Sequence, residues 1–528
     1  MSGKISSILM LILIIGLHFT ALSDRPRILV ETDLGGDADD QASLVRFLLY
    51  TNEIDLEGII LSRSNSQFQS DGAADNPSGA TMTMEMAHDY IGAYGDVLAN
   101  LRVHDPSYPS VNDLKALTVS GHDNNGSAGK DLIVNVLKQS DSSPLWYTNW
   151  GANDGSVSSL KKALDAIQNG DEPELSYNDA MAGLYYVEVY KQNHIGNTHR
   201  SNCAFYMDTF WPDMDGGRWY HRFNDIVGIE SWLHSNAGNT LCDNYYTTDK
   251  EGDTPTFLHL FANGINVPGK PFWGSWAGRY GWNSDYDMWW CDQRDAWDGT
   301  TNRDNTMRRF EAAIENDFKA RAKWCDHSSY DSGNHHPVPA VNDETGLEPL
   351  FLPVTGGGVV ELDASASTDP DGDDLSYRWI HYPEISSGGT PTISDTTASV
   401  VIITAPDSFG DGDTIHVYCE ITDNGSISLT RYKRVVLYYG ESTPVANAHL
   451  FGKQLQQVHV SMRNGRMYFD TPVEGELSLF DCRGVLWKNI RCGNICTAVD
   501  LSMVSGRTAV IRFTDRTGKV SQYKLIVP

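Results

Sequence analysis

From Arg27 to about Asp326, short apolar runs alternate with stretches of helical periodicity, a pattern that predicts an α/β domain built on a mostly parallel sheet. Residues 28–30 and 56–61 are strand candidates, the first apolar throughout and the second ending in Ile59-Ile60-Leu61, as expected of strands covered on both faces. Between them Leu44, Val45, Leu48 and Leu49 recur at helical spacing. The same grammar returns at Leu145-Trp146-Tyr147, followed by Val157, Leu160, Leu164 and Ile167, a strand leading through a loop into an amphipathic helix. Weaker versions lie at residues 184–189 and 226–229, and Met307, Phe310, Ile314 and Phe318 predict a closing helix.

After Trp324 the helical period disappears. Asn334-His335-His336-Pro337-Val338-Pro339 has the composition of a linker, placed at residues 331–342. Five runs follow, at 359–362, 375–380, 400–404, 414–421 and 433–438, spaced like the strands of a small sandwich that occupies residues 343–440. A third, strand-like segment spans 445–528, with turns at Arg483-Gly484, Ser505-Gly506 and Thr517-Gly518. A chain of 528 residues is in any case too long for one core.

Charge narrows the partners. With 40 basic against 69 acidic residues the net charge is −29, and no basic block stands out, which argues against nucleic acid and anionic membranes. Lys4, an apolar run over 8–17 and Ala21-Leu22-Ser23 predict a signal peptide over residues 1–23, and no later run is long enough to span a bilayer. A secreted or cell-surface location is expected, and the even count of eight cysteines suits an oxidising destination.

The densest chemistry is Glu31-Thr32-Asp33-Leu34-Gly35-Gly36-Asp37-Ala38-Asp39-Asp40, five carboxylates in ten residues between a buried strand and a helix. Such crowding is costly unless a hard cation relieves it, and calcium accepts six to eight oxygens in irregular geometry. The plain alternative is helix capping by Asp37 or Asp39, which accounts for one or two of the five.

The run resembles the N-terminal aspartate motif of nucleoside hydrolases. The resemblance implies calcium on Asp33 and Asp40, Asp39 on sugar hydroxyls, and Asp33 as the catalytic base. Two extra residues between Asp33 and Asp39 leave Asp37 competing for either role. By the same resemblance the backbone carbonyl of Trp150, in Trp150-Gly151-Ala152-Asn153, and Asp253, in Glu251-Gly252-Asp253-Thr254-Pro255, complete the metal set, with Asn153 assigned to the ligand. The stretches Val45-Arg46-Phe47-Leu48-Leu49-Tyr50, Pro144-Leu145-Trp146 and 274–280 further resemble exported bacterial proteins described as cellulose-binding, with a nucleoside-hydrolase-like domain over 25–330 and an immunoglobulin- or cadherin-like domain over 343–440. The segment that grips the ribose 5′ side in true nucleoside hydrolases is missing from 190–225.

Trp273, Trp276, Trp282, Trp289, Trp290 and Trp297 crowd one stretch, and sugar rings stack on such planes, so Trp273 and Trp276 are assigned to a carbohydrate or nucleoside-like ligand, cellulose among the candidates. His194, His199 and His221 form the pool for a leaving-group acid. The run Asp369-Pro370-Asp371-Gly372-Asp373-Asp374 resembles acidic turns of polycystic-kidney-disease-type folds, and the last eighty residues resemble type IX secretion sorting domains or an ordinary terminal β-module. Two functions follow: a secreted, calcium-dependent hydrolase of glycosyl bonds, or a non-catalytic protein that binds cellulose or another plant-wall glycan.

Overall fold

The computed structural model describes residues 25–35, 38–62, 79–121, 127–139, 143–151, 158–189, 195–202, 205–208, 223, 229–245, 251–284 and 288–440, and the strands between residues 460 and 527. The signal peptide and residues 226–228 of the strand expected at 226–229 lie outside them, and Ile229 precedes the helix Glu230–Asn236.

Eight strands form the first sheet: β1 (Arg27–Thr32), β2 (Asp55–Leu61), β3 (Thr118–Ser120), β4 (Leu145–Trp150), β5 (Leu184–Glu188), β6 (Phe205–Asp208), β7 (Gly281–Asn283) and β8 (Met288–Trp290). Their order is β3-β2-β1-β4-β5-β6-β8-β7, parallel throughout except for the edge strand β7. Side chains alternate across it. Ile28 and Val30 enter one core with Ile59, Leu61 and Trp146, while Leu29 enters the other with Ile60 and Tyr147. The chain leaves β1 for β2 on one side and returns to β4 on the other, so the order reverses at the β1/β4 crevice, where open parallel sheets bind ligands. Helix Ala38–Leu49 follows β1 directly and sinks Leu44, Val45, Phe47, Leu48 and Leu49 into the first core. A 26-residue helix, Gly79–His104, was not evident from periodicity.

The sandwich pairs a four-stranded sheet (Leu350–Val354, Ser376–His381, Thr414–Thr422, Thr430–Tyr439) with a three-stranded one (Val359–Asp363, Thr392–Ile393, Val400–Thr404). All five expected strands are present, and Leu350–Val354 and Thr392–Ile393 are additional. Residues up to Tyr439 form one compact unit and Gly440–Pro528 a second, a five-stranded antiparallel sheet.

The α/β domain and the sandwich share a core: Tyr382, Tyr418 and Tyr432 pack with Phe310, Trp276 and Tyr280. The Arg434 guanidinium donates to the carbonyls of Ile265, Trp273 and Gly274 at 2.8, 3.1 and 3.2 Å. Asp295, fully buried, accepts from Arg279, Arg309 and the Tyr382 hydroxyl. Gly264, at φ +91°, lies so close that a Cβ would sit 1.8 Å from the Tyr432 carbonyl oxygen. The segment with linker composition is packed into this joint: Asn334 and His335 are buried, and the Asn334 amide donates to Asp423 at 2.9 Å.

Asp317 ties three parts of the joint, meeting Arg321 of its own helix at 2.7 Å, Arg431 of the sandwich at 3.1 Å and His336 between them. Burial, and then the Arg431 charge, push His336 down to about 4, although Asp317 opposes them. Burial takes His259 to about 4 as well. In the unfolded chain these imidazoles take protons from their ordinary 6.5 downward, whereas the folded chain accepts them only near 4. Stability is therefore complete above 6.5 and is lost as pH falls through that window, by roughly 3 kcal/mol for each of the two imidazoles by pH 4. Thermal melts between pH 7 and 4.5 check this; a flat Tm would contradict it.

Candidate metal and ligand site

β1 delivers Asp33 to the carboxyl edge of the sheet, and the turn after it uses Gly35 at φ +83°, a conformation that disfavours a side chain. The following helix then brings Asp39 and Asp40 back over the crevice in its first turn. Asp253 arrives from the far side of the chain, just ahead of the short helix Pro255–Leu258, and its carbonyl accepts from Thr256 at 2.9 Å. One carboxylate oxygen from each of Asp39, Asp40 and Asp253 lies within 4.8 Å of the others, and all three residues are buried.

Burial raises the Asp40 carboxyl well above its usual range, and the charges of Asp253, Asp33 and Asp39 push the same way; only the Thr32 hydroxyl, which donates to Asp40, opposes them. Three to four like charges in a dry crevice are what a hard cation neutralises. Asp33, 6% exposed, is the most open of the four. Trp150 pairs with Thr32 across β1 and β4, and Gly151 forms a bridge to the same residue, so the Trp150 backbone ends beside Asp33. Its ring is held at 5.6 Å from Phe47 and 5.5 Å from Phe257. Asp39, Asp40 and Asp253 thus come together, with Asp33 near enough for its charge to act on Asp40 and Trp150 paired with the neighbouring Thr32; Asp39 is among the candidate ligands rather than only beside the sugar.

A buried ion pair fixes the Asp253 loop. Arg46, in the last turn of helix Ala38–Leu49, holds Glu251 with two nitrogens, the second at 3.0 Å, and its guanidinium lies 3.9 Å from the Phe318 ring centroid. Glu251 also accepts from the Tyr245 hydroxyl and from Thr254 at 2.7 Å. The only sequence signal for this pair was a charge inside the apolar run Leu44 to Leu49.

Four expectations change. Glu31 does not join the cluster: its carboxylate accepts from Ser62 at 2.6 Å, from the Tyr147 hydroxyl and from the Ser159 amide at 2.7 Å, anchoring β1 to a helix N-terminus on the opposite face. Trp273 and Trp276 are 7% and 1% exposed, built into the joint against His416 and Tyr432, so neither ring face is open to a ligand. His199 bonds Asp165 and Tyr177, each at 2.8 Å, and serves packing outside the crevice. Of the cysteines described up to residue 440, Cys242, Cys325 and Cys419 are buried free thiols, and Cys291 is buried as well. Asn153, Asp37, His194 and His221 lie outside the described residues.

The chain is similar over 79% of its length to a nucleoside hydrolase-related hypothetical protein from Saccharophagus degradans that is associated with carbohydrate metabolism; identity is 28%, all of that chain is covered, and the TM-score is 0.60. The PKD domain from KIAA 1837 protein matches at 21% identity over 18% of this chain and 85% of its own, with a TM-score of 0.13. No curated protein matches the chain. Residues 27–280 match the model described as cellulose-binding Sde182, nucleoside hydrolase-like domain, and residues 359–439 match that of the cellulose-binding protein Sde0182, C-terminal domain. With both halves present in order, on a fold of the same kind, the chain belongs to this Sde182 family.

Proposed function

We propose that this is an exported protein that binds cellulose or a related plant-wall glycan, and that its nucleoside-hydrolase-like domain holds calcium. The family description and the carbohydrate association of the Saccharophagus degradans protein support the glycan. The observation that carries the cation is the convergence of Asp39, Asp40 and Asp253 within 4.8 Å at the topological switch point of a parallel sheet. Asp33 and the Trp150 carbonyl complete a set of oxygen donors suited to calcium.

The same crevice favours a second reading, hydrolysis of a glycosyl bond. Bound calcium would supply a positive charge that lowers the pKa of a water. Asp33, the least buried of the four carboxylates, would accept that proton, and Asp39 would orient a sugar hydroxyl. Among the described residues no histidine stands at the cluster to protonate a leaving group: His199 is committed elsewhere and His259 donates toward or rests on Pro255 beneath Trp146. The family description, which names cellulose binding, favours the first reading.

Retention on insoluble cellulose and sugar release from nucleosides and wall glycans, each with wild type, Asp33→Ala and Asp40→Ala, separate the readings. Retention by all three proteins with no release supports binding. Release that both substitutions abolish makes the protein a hydrolase. Wild type that is neither retained nor active sinks both.

A further inference from the structure

Trp282 is 53% exposed, on the edge strand β7, where a ring of that size has no reason to be left in water by packing alone. It is the cross-strand partner of Trp289, and the two rings meet edge to face at 5.4 Å. Trp289 in turn stacks on Phe272 at 5.4 Å, with 15° between the planes. Phe272 meets Trp273 at 6.3 Å, and Trp273 meets Phe351 of the sandwich, again at 6.3 Å. Phe351 is also 53% exposed. A continuous line of rings therefore crosses from one domain to the other, open at both ends and partly open at Trp289 and Phe272, with buried Trp273 as its anchor.

A cation borders it: the Lys270 ammonium stands 6.0 Å from the Phe272 centroid. Pinned aromatic faces beside an ammonium group suit a ligand with flat apolar faces and ring hydroxyls. A net charge of −29 disfavours anionic polymers, and a line of rings suits an extended chain better than a single sugar.

We propose that Trp282, Trp289, Phe272 and Phe351 form a platform on which a neutral, β-linked glucan chain lies. The proposal rests on the glycan-binding reading and gives it a place. β7 is five strand spacings from β1, about 24 Å along the sheet, so the platform is distinct from the aspartate crevice.

The test is retention on microcrystalline cellulose and quenching of tryptophan fluorescence by cellohexaose, with wild type, Trp282→Ala, Trp282→Tyr and Phe351→Ala, and with Tm as the check on folding. Trp282→Ala and Phe351→Ala are expected to weaken retention about tenfold at unchanged Tm, and Trp282→Tyr to restore most of it. Wild type retained, with both alanine variants retained equally well, overturns the platform while the glycan reading stands. Wild type not retained overturns both. A concentration-dependent dimer in sedimentation that Trp282→Ala dissolves would make the line a contact between copies of this chain and overturn the proposal.

Discussion

In chelator, Asp40→Asn is expected to melt higher than wild type, and in calcium lower. The cause is the crowding at the crevice: Asp40 is fully buried, and burial together with Asp253, Asp33 and Asp39 disfavours its charge. An asparagine keeps an oxygen for the Thr32 hydroxyl and removes one of the repelling charges, so the cation-free protein gains on the order of 1 kcal/mol. Calcium at a hundred times its dissociation constant should stabilise wild type by about 2.7 kcal/mol and Asp40→Asn by little. Differential scanning calorimetry in EDTA and in calcium reads both arms. Identical calcium responses in the two proteins would remove the cation from this site.

Arg46→Met should cost more than any other single change considered, about 3–5 kcal/mol, because it leaves Glu251 buried and charged with only the Tyr245 and Thr254 hydroxyls as partners. The aliphatic side chain still fills the space against Phe318 and Phe223, so the loss reports the stranded carboxylate and not a cavity. Arg46→Met combined with Glu251→Gln should recover a large part of it, since the replacement removes the uncompensated charge. Denaturant melts of the two variants decide the matter: a double variant no more stable than Arg46→Met would mean that shape, and not charge, is what the pair supplies. Asp253 lies two residues beyond Glu251, so calcium affinity should fall in the single variant and return in the double.

The parallel strands were legible because strands covered on both faces are almost purely apolar, and 28–30, 56–61 and 145–147 needed no other signal. The acidic loop was legible by density, but its membership was not. Strand alternation places Glu31 on the face of Leu29 and Tyr147, away from Thr32 and the crevice, a distinction that charge density alone does not make. Trp150 and Asp253 came only through family resemblance, since nothing local marks a carbonyl or a lone aspartate as a ligand. The aromatic stretch was read correctly as unusual and wrongly in its parts. Trp273 and Trp276 serve the joint with the sandwich, a contact across more than a hundred residues that periodicity cannot register, whereas Trp282 is the ring left outside. Helix Gly79–His104 escaped for a related reason: its glycines and scattered methionines give no clean apolar stripe.

Family descriptions divide the first 439 residues into two matched stretches, but the joint does not respect that division. Arg434 has its acceptors at Ile265, Trp273 and Gly274, Asp295 has one of its donors at Tyr382, and Gly264 must stay bare for the sake of Tyr432. Recombination that delivered this sandwich to another α/β domain would bring a fully buried arginine without carbonyls to receive it, and would leave behind an aspartate short of a hydroxyl. The two stretches depend on each other physically, and substitutions on one side of the joint should be tolerated only alongside changes on the other.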